Sequence, residues 1–137
     1  MRLEYPFTIE PQEPEGFVAQ FIDFDEAFTE GKTVEECYFN AQEVLSLVIE
    51  QRLADGTEVP PPSVSDSPHR ITPDAQTQAA LLVHLARGGR SLAELARALG
   101  TSWPSAQRLE DPRHRSTLKQ VERAAAALGK RLVLSFE

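Results

Sequence analysis

The sequence predicts two small domains: an α+β domain with an antiparallel sheet and one helix, then an all-α domain with a short C-terminal strand. Three observations support this division. Alternating apolar residues precede one long helical pattern in the first half, whereas the second half contains four short helical patterns. Five of the ten prolines fall within residues 59–73, and the charge changes sign there. The expected boundaries are therefore 1–58, a Pro/Ser-rich linker at 59–73, and 74–137.

The charge of the chain is unevenly distributed. Residues 1–70 carry 15 acidic and 4 basic side chains, a net charge of −11, and residues 71–137 carry 10 basic and 6 acidic ones, a net charge of +4. These values sum to the formal net charge of −7. Such an asymmetry predicts two surfaces with partners of opposite charge.

The single cysteine excludes an intrachain disulfide. With no apolar run of membrane-spanning length and no secretory signal pattern, we expect a cytoplasmic protein.

The first domain opens with a strand pattern. Leu3, Tyr5, Phe7 and Ile9 alternate with polar or small residues, as in a strand with one apolar face, and Pro6 predicts an edge position for it. The next segment, GFVAQFIDF, is apolar on nearly both faces and predicts a central strand. AFTEG predicts a third, short strand.

A long helix follows the predicted strands. Thr33 and Glu36 have the spacing of a capping box, which marks the helix start. Apolar residues then recur at helical spacing and form the predicted core face: Val34, Cys37, Tyr38, Ala41, Leu45 and Val48.

The second domain begins with Thr72 as the predicted cap of a helix and Pro73 at its first position. This helix is expected to end at Gly88-Gly89. Ser91 with Glu94 predicts the start of a second helix that ends at Gly100. Ser102 begins a third. A fourth helix is expected to pack through Leu118, Val121, Ala125 and Leu128.

The last segment, KRLVLSF, predicts a short terminal strand. Its apolar face is a candidate dimer interface and consists of Leu132, Leu134 and Phe136.

The second and third of these helices have the register of a helix-turn-helix unit. Ala96 is small where the helices would cross, Gly100 lies at the turn, and Ala106 and Leu109 face the core. The second helix of such a unit enters the major groove of DNA, where Arg and Gln read guanine and adenine. Basic residues in the next loop suit the sugar-phosphate backbone. The candidate DNA-binding residues are Ser102, Trp103, Ser105, Gln107, Arg108, Arg113, His114 and Arg115.

Two other interpretations of these residues remain open at this point. One is that the arginines form only a solvated helix face, which the pattern favours less than DNA contact. The other is that Trp103 is a core residue, which fits the sequence as well as DNA contact does. The net charge of +4 is small for a DNA-binding module, so the sequence favours a dimer on paired half-sites.

The chain resembles two known families. SLAELARALGTSWPSAQRLED and the following TLKQVERAAAALGKRLVLSF resemble the Cro/repressor-type helix-turn-helix family, although Trp103-Pro104 replaces the polar pair common after the turn. The first half is similar to the HicB antitoxins in Asp23, Gly31-Lys32-Thr33, Asn40-Ala41 and the VPPPS segment. Its turn after the second strand, Ile22-Asp23-Phe24-Asp25-Glu26, departs from the family's usual Pro-Asp-Leu-Pro-Gly.

The second resemblance implies a truncated RNase H-like first domain and specific partners. Members of that family bind and block a small basic ribonuclease toxin, HicA, and bind the operator of their own operon as a dimer or larger oligomer, such as a tetramer. An acidic domain suits a basic toxin, because opposite charges speed encounter. The expected toxin-binding residues, with the two phenylalanines as apolar anchors, are Asp23, Phe24, Asp25, Glu26, Phe28 and Glu30. The competing interpretation is that these carboxylates only confer solubility and the aromatics are core.

The sequence offers two alternative functions. A metal-dependent nuclease needs carboxylates from several elements, and besides Asp23, Asp25 and Glu26 the first strand offers only Glu4 and Glu10. The three histidines are scattered, and none lies at a metal-ligand spacing from Cys37. We therefore expect no catalysis, metal or cofactor. The other possibility is a stand-alone repressor whose first domain senses a small ligand.

Overall fold

The computed structural model describes residues 1–137, which form two compact units, Met1–Gln78 and Ala79–Glu137. The first unit contains a four-stranded antiparallel sheet and one long helix. The second contains short helices. This agrees with the predicted α+β domain followed by a helical domain. No helix is both long and apolar enough to cross a membrane.

The sheet of the first unit has the order β3-β2-β1-β4. Its strands are β1 (Tyr5–Pro11), β2 (Phe17–Phe21), β3 (Phe28–Gly31) and β4 (His69–Ile71). Phe7 lies opposite Phe21 in the β1–β2 pair and opposite His69 in the β1–β4 pair, so it occupies the middle of the sheet. The central position predicted for β2 is confirmed.

The edge position predicted for β1 from Pro6 is wrong, because β1 pairs on both sides. The carbonyl of Pro6 accepts a hydrogen bond of 3.1 Å from the amide of Ile22. Since N and C=O of one strand residue point the same way, the missing N–H of proline falls beside Ile22, just beyond the last β1–β2 pair. The proline therefore costs one hydrogen bond at the end of a ladder, not in its middle.

Helix α1 (Val34–Asp55) packs on one face of the sheet. Thr33 caps it by accepting a hydrogen bond from the amide of Glu36, which is the Thr33 half of the predicted capping box. Its buried face consists of Cys37, Ala41, Leu45, Ser46 and Ile49, whereas the predicted core residue Val34 is 40% exposed.

Gly31 allows α1 to approach β3 closely. A Cβ at this position would lie 2.7 Å from the backbone nitrogen of Cys37 and 2.9 Å from its Sγ. Because the nearer atom belongs to the backbone of a packed helix, no larger residue fits here without moving that helix.

The segment predicted as a linker, residues 59–73, is extended but lies against the first unit. Val59 and Pro73 are buried, the Tyr5 hydroxyl donates to the carbonyl of Pro60 at 2.7 Å, and His69–Ile71 supplies the fourth strand. A strand forms within this proline-rich segment because His69–Ile71 contains no proline and pairs only at the edge of the sheet.

The remaining helices are α2 (Ala75–Arg87), α3 (Leu92–Leu99), α4 (Trp103–Arg108) and α5 (Leu118–Ala127), with a 3-10 turn at Pro112–His114 between the last two. The predicted cap of α2 is wrong. Asp74, not Thr72, accepts a hydrogen bond from the amide of Thr77 at 2.9 Å, and Pro73 precedes the helix.

Two predictions for the end of the chain are also wrong. Leu118 is 62% exposed, and Ala124 takes the buried position beside Val121 and Leu128. Residues 130–137 form no strand, and Val133, Leu134 and Phe136 are exposed. A strand requires a hydrogen-bonded neighbour, which the single chain does not provide here.

Candidate functional site

The turn between α3 and α4 is built by small residues. Gly100 adopts a left-handed conformation (φ 67°), and its amide donates to the carbonyl of Ala96. Ala96 and Ala106 are 5% and 0% exposed, so the two helices meet without large side chains between them. Leu109 packs against the same core as Leu95. The two short helices, the glycine turn between them and the inward-facing positions of Ala96, Ala106 and Leu109 form as predicted.

Helix α4 presents a polar outer face. Ser102 caps it by accepting from the amide of Ser105 at 3.3 Å, and the two hydroxyls are 2.9 Å apart. The hydroxyl of Ser102 is therefore occupied within the helix. Trp103 is 48% exposed, which excludes the interpretation that it is a core residue. Gln107 and Arg108 are exposed beyond it, with their polar groups available to a partner.

The loop after α4 adds cationic side chains. Arg113, His114 and Arg115 are exposed, and Asp111 caps the 3-10 turn by accepting from the amide of Arg113. Six other basic residues of the second unit, which the sequence did not single out, are also exposed: Arg90, Arg97, Lys119, Arg123, Lys130 and Arg131. Their signal in the sequence was only charge, which is common on any helix surface.

A buried carboxylate fixes this loop to α2. Glu110 accepts from Nδ1 of His84 at 2.6 Å and from Nε and Nη2 of Arg87 at 2.6 and 2.9 Å. Burial by itself would raise the pKa of Glu110, but the hydrogen bonds from His84 and Arg87 outweigh it and lower the pKa. Glu110 is thus held ionised, immediately before the cationic loop.

The predicted acidic site of the first unit is partly occupied by internal contacts. Asp23 accepts from the hydroxyl and the amide of Ser63. Glu26 forms a two-bond ion pair with Arg52, both N···O distances being 2.7 Å, and this pairing lowers the pKa of Glu26. Two of the four predicted carboxylates therefore stabilise the first unit itself.

Phe24 is wrongly predicted as a contact anchor. Its ring is fully buried, 5.1 Å from the ring of Tyr5 between centroids, with the guanidinium of Arg52 4.8 Å from its centroid. The other members of the set, Asp25, Phe28 and Glu30, are exposed, and Phe28 is 59% exposed. Gly31 faces α1, so alternation along β3 places Phe28 and Glu30 on the opposite face of the sheet.

Helix α1 carries exposed apolar residues that the sequence analysis missed. Phe39 and Leu47 are 67% and 63% exposed. The available signal was their position: both lie outside the series of Cys37, Ala41 and Leu45 that faces the sheet.

The potential metal ligands do not converge. No group of three or more His, Cys, Asp or Glu side chains has a geometry that could hold a metal ion. His69 is hydrogen-bonded to the hydroxyl of Tyr38 at 2.7 Å, and Cys37 lies on the buried face of α1. The imidazole and thiol groups of these residues are thus used in packing.

Comparison with known proteins gives one consistent result. Residues 4–72 match the family model described as HicB_like antitoxin of bacterial toxin-antitoxin system. The chain is 34% identical to Antitoxin HicB 2 of Photorhabdus laumondii, over 96% of this chain and 95% of that one. It is 30% identical to Antitoxin HicB of Escherichia coli K12, over 96% of this chain and 98% of that one. It is 29% identical to Antitoxin HicB 1 of Photorhabdus laumondii, over 98% and 88%.

Proposed function

The chain belongs to the HicB-like antitoxin family, and from this premise we propose that it neutralises a small basic HicA-type toxin with its first unit and represses its own operon with its second. The observation that carries the proposal is the segregation of charge: −11 on residues 1–70, and +4 on residues 71–137, which contain α3 and α4. In this proposal the chain acts by binding, in the cytoplasm, and not as an enzyme.

Toxin binding follows from electrostatics. A ribonuclease needs a positive surface for the phosphates of its substrate, and an acidic protein competes for that surface and accelerates encounter. Asp25, Phe28 and Glu30 are exposed and supply two carboxylates and one apolar side chain. Asp23 and Glu26 add to the negative electrostatic potential of the first unit. Their contacts with Ser63 and Arg52 also stabilise the connection between β2 and β3.

Operator binding is assigned to α4 and the following loop. Gln107 and Arg108 are exposed on α4, which as the second helix of a helix-turn-helix unit would enter the major groove. We assign base contact to these two residues and backbone contact to Arg113, His114 and Arg115. Trp103 and Ser105 precede these two residues on α4, and Ser102 caps the helix.

Dimerisation is assigned to the C-terminal segment. Leu134 and Phe136 are exposed, Leu132 is partly buried, and the backbone of residues 130–137 is in no sheet. Pairing of two such segments would supply the missing ladder and bury the exposed apolar side chains. A dimer also places two α4 helices on paired half-sites, which compensates for the small charge of one module.

We expect the Arg108→Ala variant to bind operator DNA more weakly by about 1–3 kcal/mol, because one bidentate contact is lost. Titration of labelled operator at fixed salt measures the effect. Binding of the toxin by the same variant should be unchanged, which a calorimetric titration checks. If Arg108→Ala weakens toxin binding and leaves operator affinity as it was, the assignment of the two units is reversed.

We expect the Asp25→Lys/Glu30→Lys variant to bind the toxin more weakly and to keep its affinity for operator DNA. Replacing two exposed carboxylates by ammonium groups removes attraction and adds repulsion, so the association rate with the toxin should fall, most strongly at low salt. Stopped-flow measurements at two salt concentrations separate this effect from a change in folding. Operator affinity serves as the control, since it should not decrease.

A further inference from the structure

The outer face of α1 carries a row of exposed side chains in which carboxylates and large apolar residues alternate. The α1 stripe consists of Glu35, Phe39, Glu43 and Leu47, which follow one another at intervals of four residues and are all exposed. Residues four apart lie above one another on a helix surface, so the four side chains form one line. At a rise of 1.5 Å per residue, Phe39 and Leu47 are about 12 Å apart.

Core packing does not explain the α1 stripe. The sheet-facing side of α1 is supplied by Cys37, Ala41, Leu45 and Ile49, which are 0% exposed. Phe39 and Leu47 each lie two positions after one of these residues, about 200° around the helix. They leave more than half of their surface in water, and Glu35 and Glu43 lie beside them in the same row, so a partner could cover the apolar side chains and pair with the carboxylates at once.

The charge around the α1 stripe selects the kind of partner. Between Val34 and Gln51 the helix contains four glutamates and no lysine or arginine. A second copy of the same face would bring glutamates against glutamates, which is repulsive. A protein with an apolar patch between lysines or arginines would bury Phe39 and Leu47 and form ion pairs with the glutamates.

We propose that the α1 stripe is the principal docking surface for the toxin, with Phe39 and Leu47 as apolar anchors in an acidic rim. This inference rests on the proposed neutralisation of a basic toxin. It moves the main contact away from the β2–β3 region, where Glu26 is paired with Arg52 and Phe24 is buried. The exposed apolar side chains there, Ile22 and Phe28, are 45% and 59% exposed, whereas Phe39 and Leu47 are 67% and 63% exposed. Interface energy concentrates in apolar anchors surrounded by a polar rim, and α1 has two.

The test compares two surfaces of one folded protein. Affinity for the purified HicA-type toxin from the same operon is measured by calorimetry for wild type, Phe39→Ala/Leu47→Ala and Phe28→Ala, with Val64→Ala as a control because Val64 is fully exposed elsewhere in the first unit. We expect the double variant to raise Kd at least about tenfold, since two anchors are truncated, and the control to leave it unchanged. Thermal unfolding verifies that all four proteins are folded.

The outcomes separate this inference from the proposed function. If wild type binds the toxin but Phe39→Ala/Leu47→Ala binds it equally well, the inference is overturned and the proposed function stands. If the double variant instead loses self-association in sedimentation experiments with unchanged toxin affinity, a second copy covers the stripe and the inference is again overturned. If wild type does not bind the toxin, both fail. Glu35→Lys/Glu43→Lys should slow toxin association if the rim acts as proposed.

Discussion

Replacing Glu110 by alanine is expected to destabilise the second unit by about 3–5 kcal/mol, the usual cost of removing one partner from a buried ion pair. The side chains of Glu110 and Arg87 are 8% and 16% exposed, so the guanidinium would lose its two carboxylate bonds without gaining water. His84 would lose its acceptor as well. Because the loop that follows Glu110 carries Arg113 and Arg115, we also expect weaker operator binding at temperatures where the variant is still folded.

Chemical denaturation followed by circular dichroism measures this change. The control is Glu122→Ala, which removes a carboxylate from the exposed surface of α5 and should change stability by no more than about 0.5 kcal/mol. An equal loss in both variants would mean that the Glu110 network does not stabilise the unit.

The Glu110 carboxylate also makes the stability of the second unit depend on pH. The pKa of Glu110 is lower in the folded chain than in the unfolded chain, so its stabilising contribution is complete above the ordinary glutamate value of about 4.3. It is lost as the pH falls through the lowered folded-state value. Glu110→Ala should therefore lose less stability than wild type on acidification in this range.

Replacing Phe7 by alanine is expected to destabilise the first unit by about 3–5 kcal/mol, the usual cost of truncating a buried phenylalanine. Phe7 is fully buried, and its ring centroid lies 5.1 Å from those of Phe21 and Tyr38 and 5.6 Å from that of His69. It thus joins β1 to β2, α1 and β4, and truncation leaves a cavity at their meeting point. Toxin binding should be lost as the unit unfolds.

Phe28→Ala is the matched control for stability, because it makes the same change on an exposed site of the same sheet. Calorimetric unfolding should show that Phe7→Ala lowers the transition of the first unit, whereas Glu110→Ala lowers that of the second. If each variant lowers both transitions equally, the two units do not unfold independently.

The sequence by itself determined those features that depend on residues close together in the chain. The caps at Thr33, Ser91 and Ser102 form as predicted, since each hydroxyl bonds an amide three residues later. The turn at Gly100 follows from one residue that tolerates a left-handed backbone. Antitoxin membership also follows from local motifs, and the family comparison confirms it.

Only the tertiary structure decided which side chains are free to bind a partner. Phe24 and Phe39 are the same residue type near acidic residues, yet the ring of Phe24 is buried beside Tyr5 and that of Phe39 is exposed on α1. Asp23 and Glu26 find partners 40 and 26 residues away in the chain. Likewise β4 forms in a proline-rich segment because β1 offers it a free edge, and the terminal segment lacks such an edge. Burial and pairing of this kind depend on contacts distant in sequence, which residue spacing does not encode.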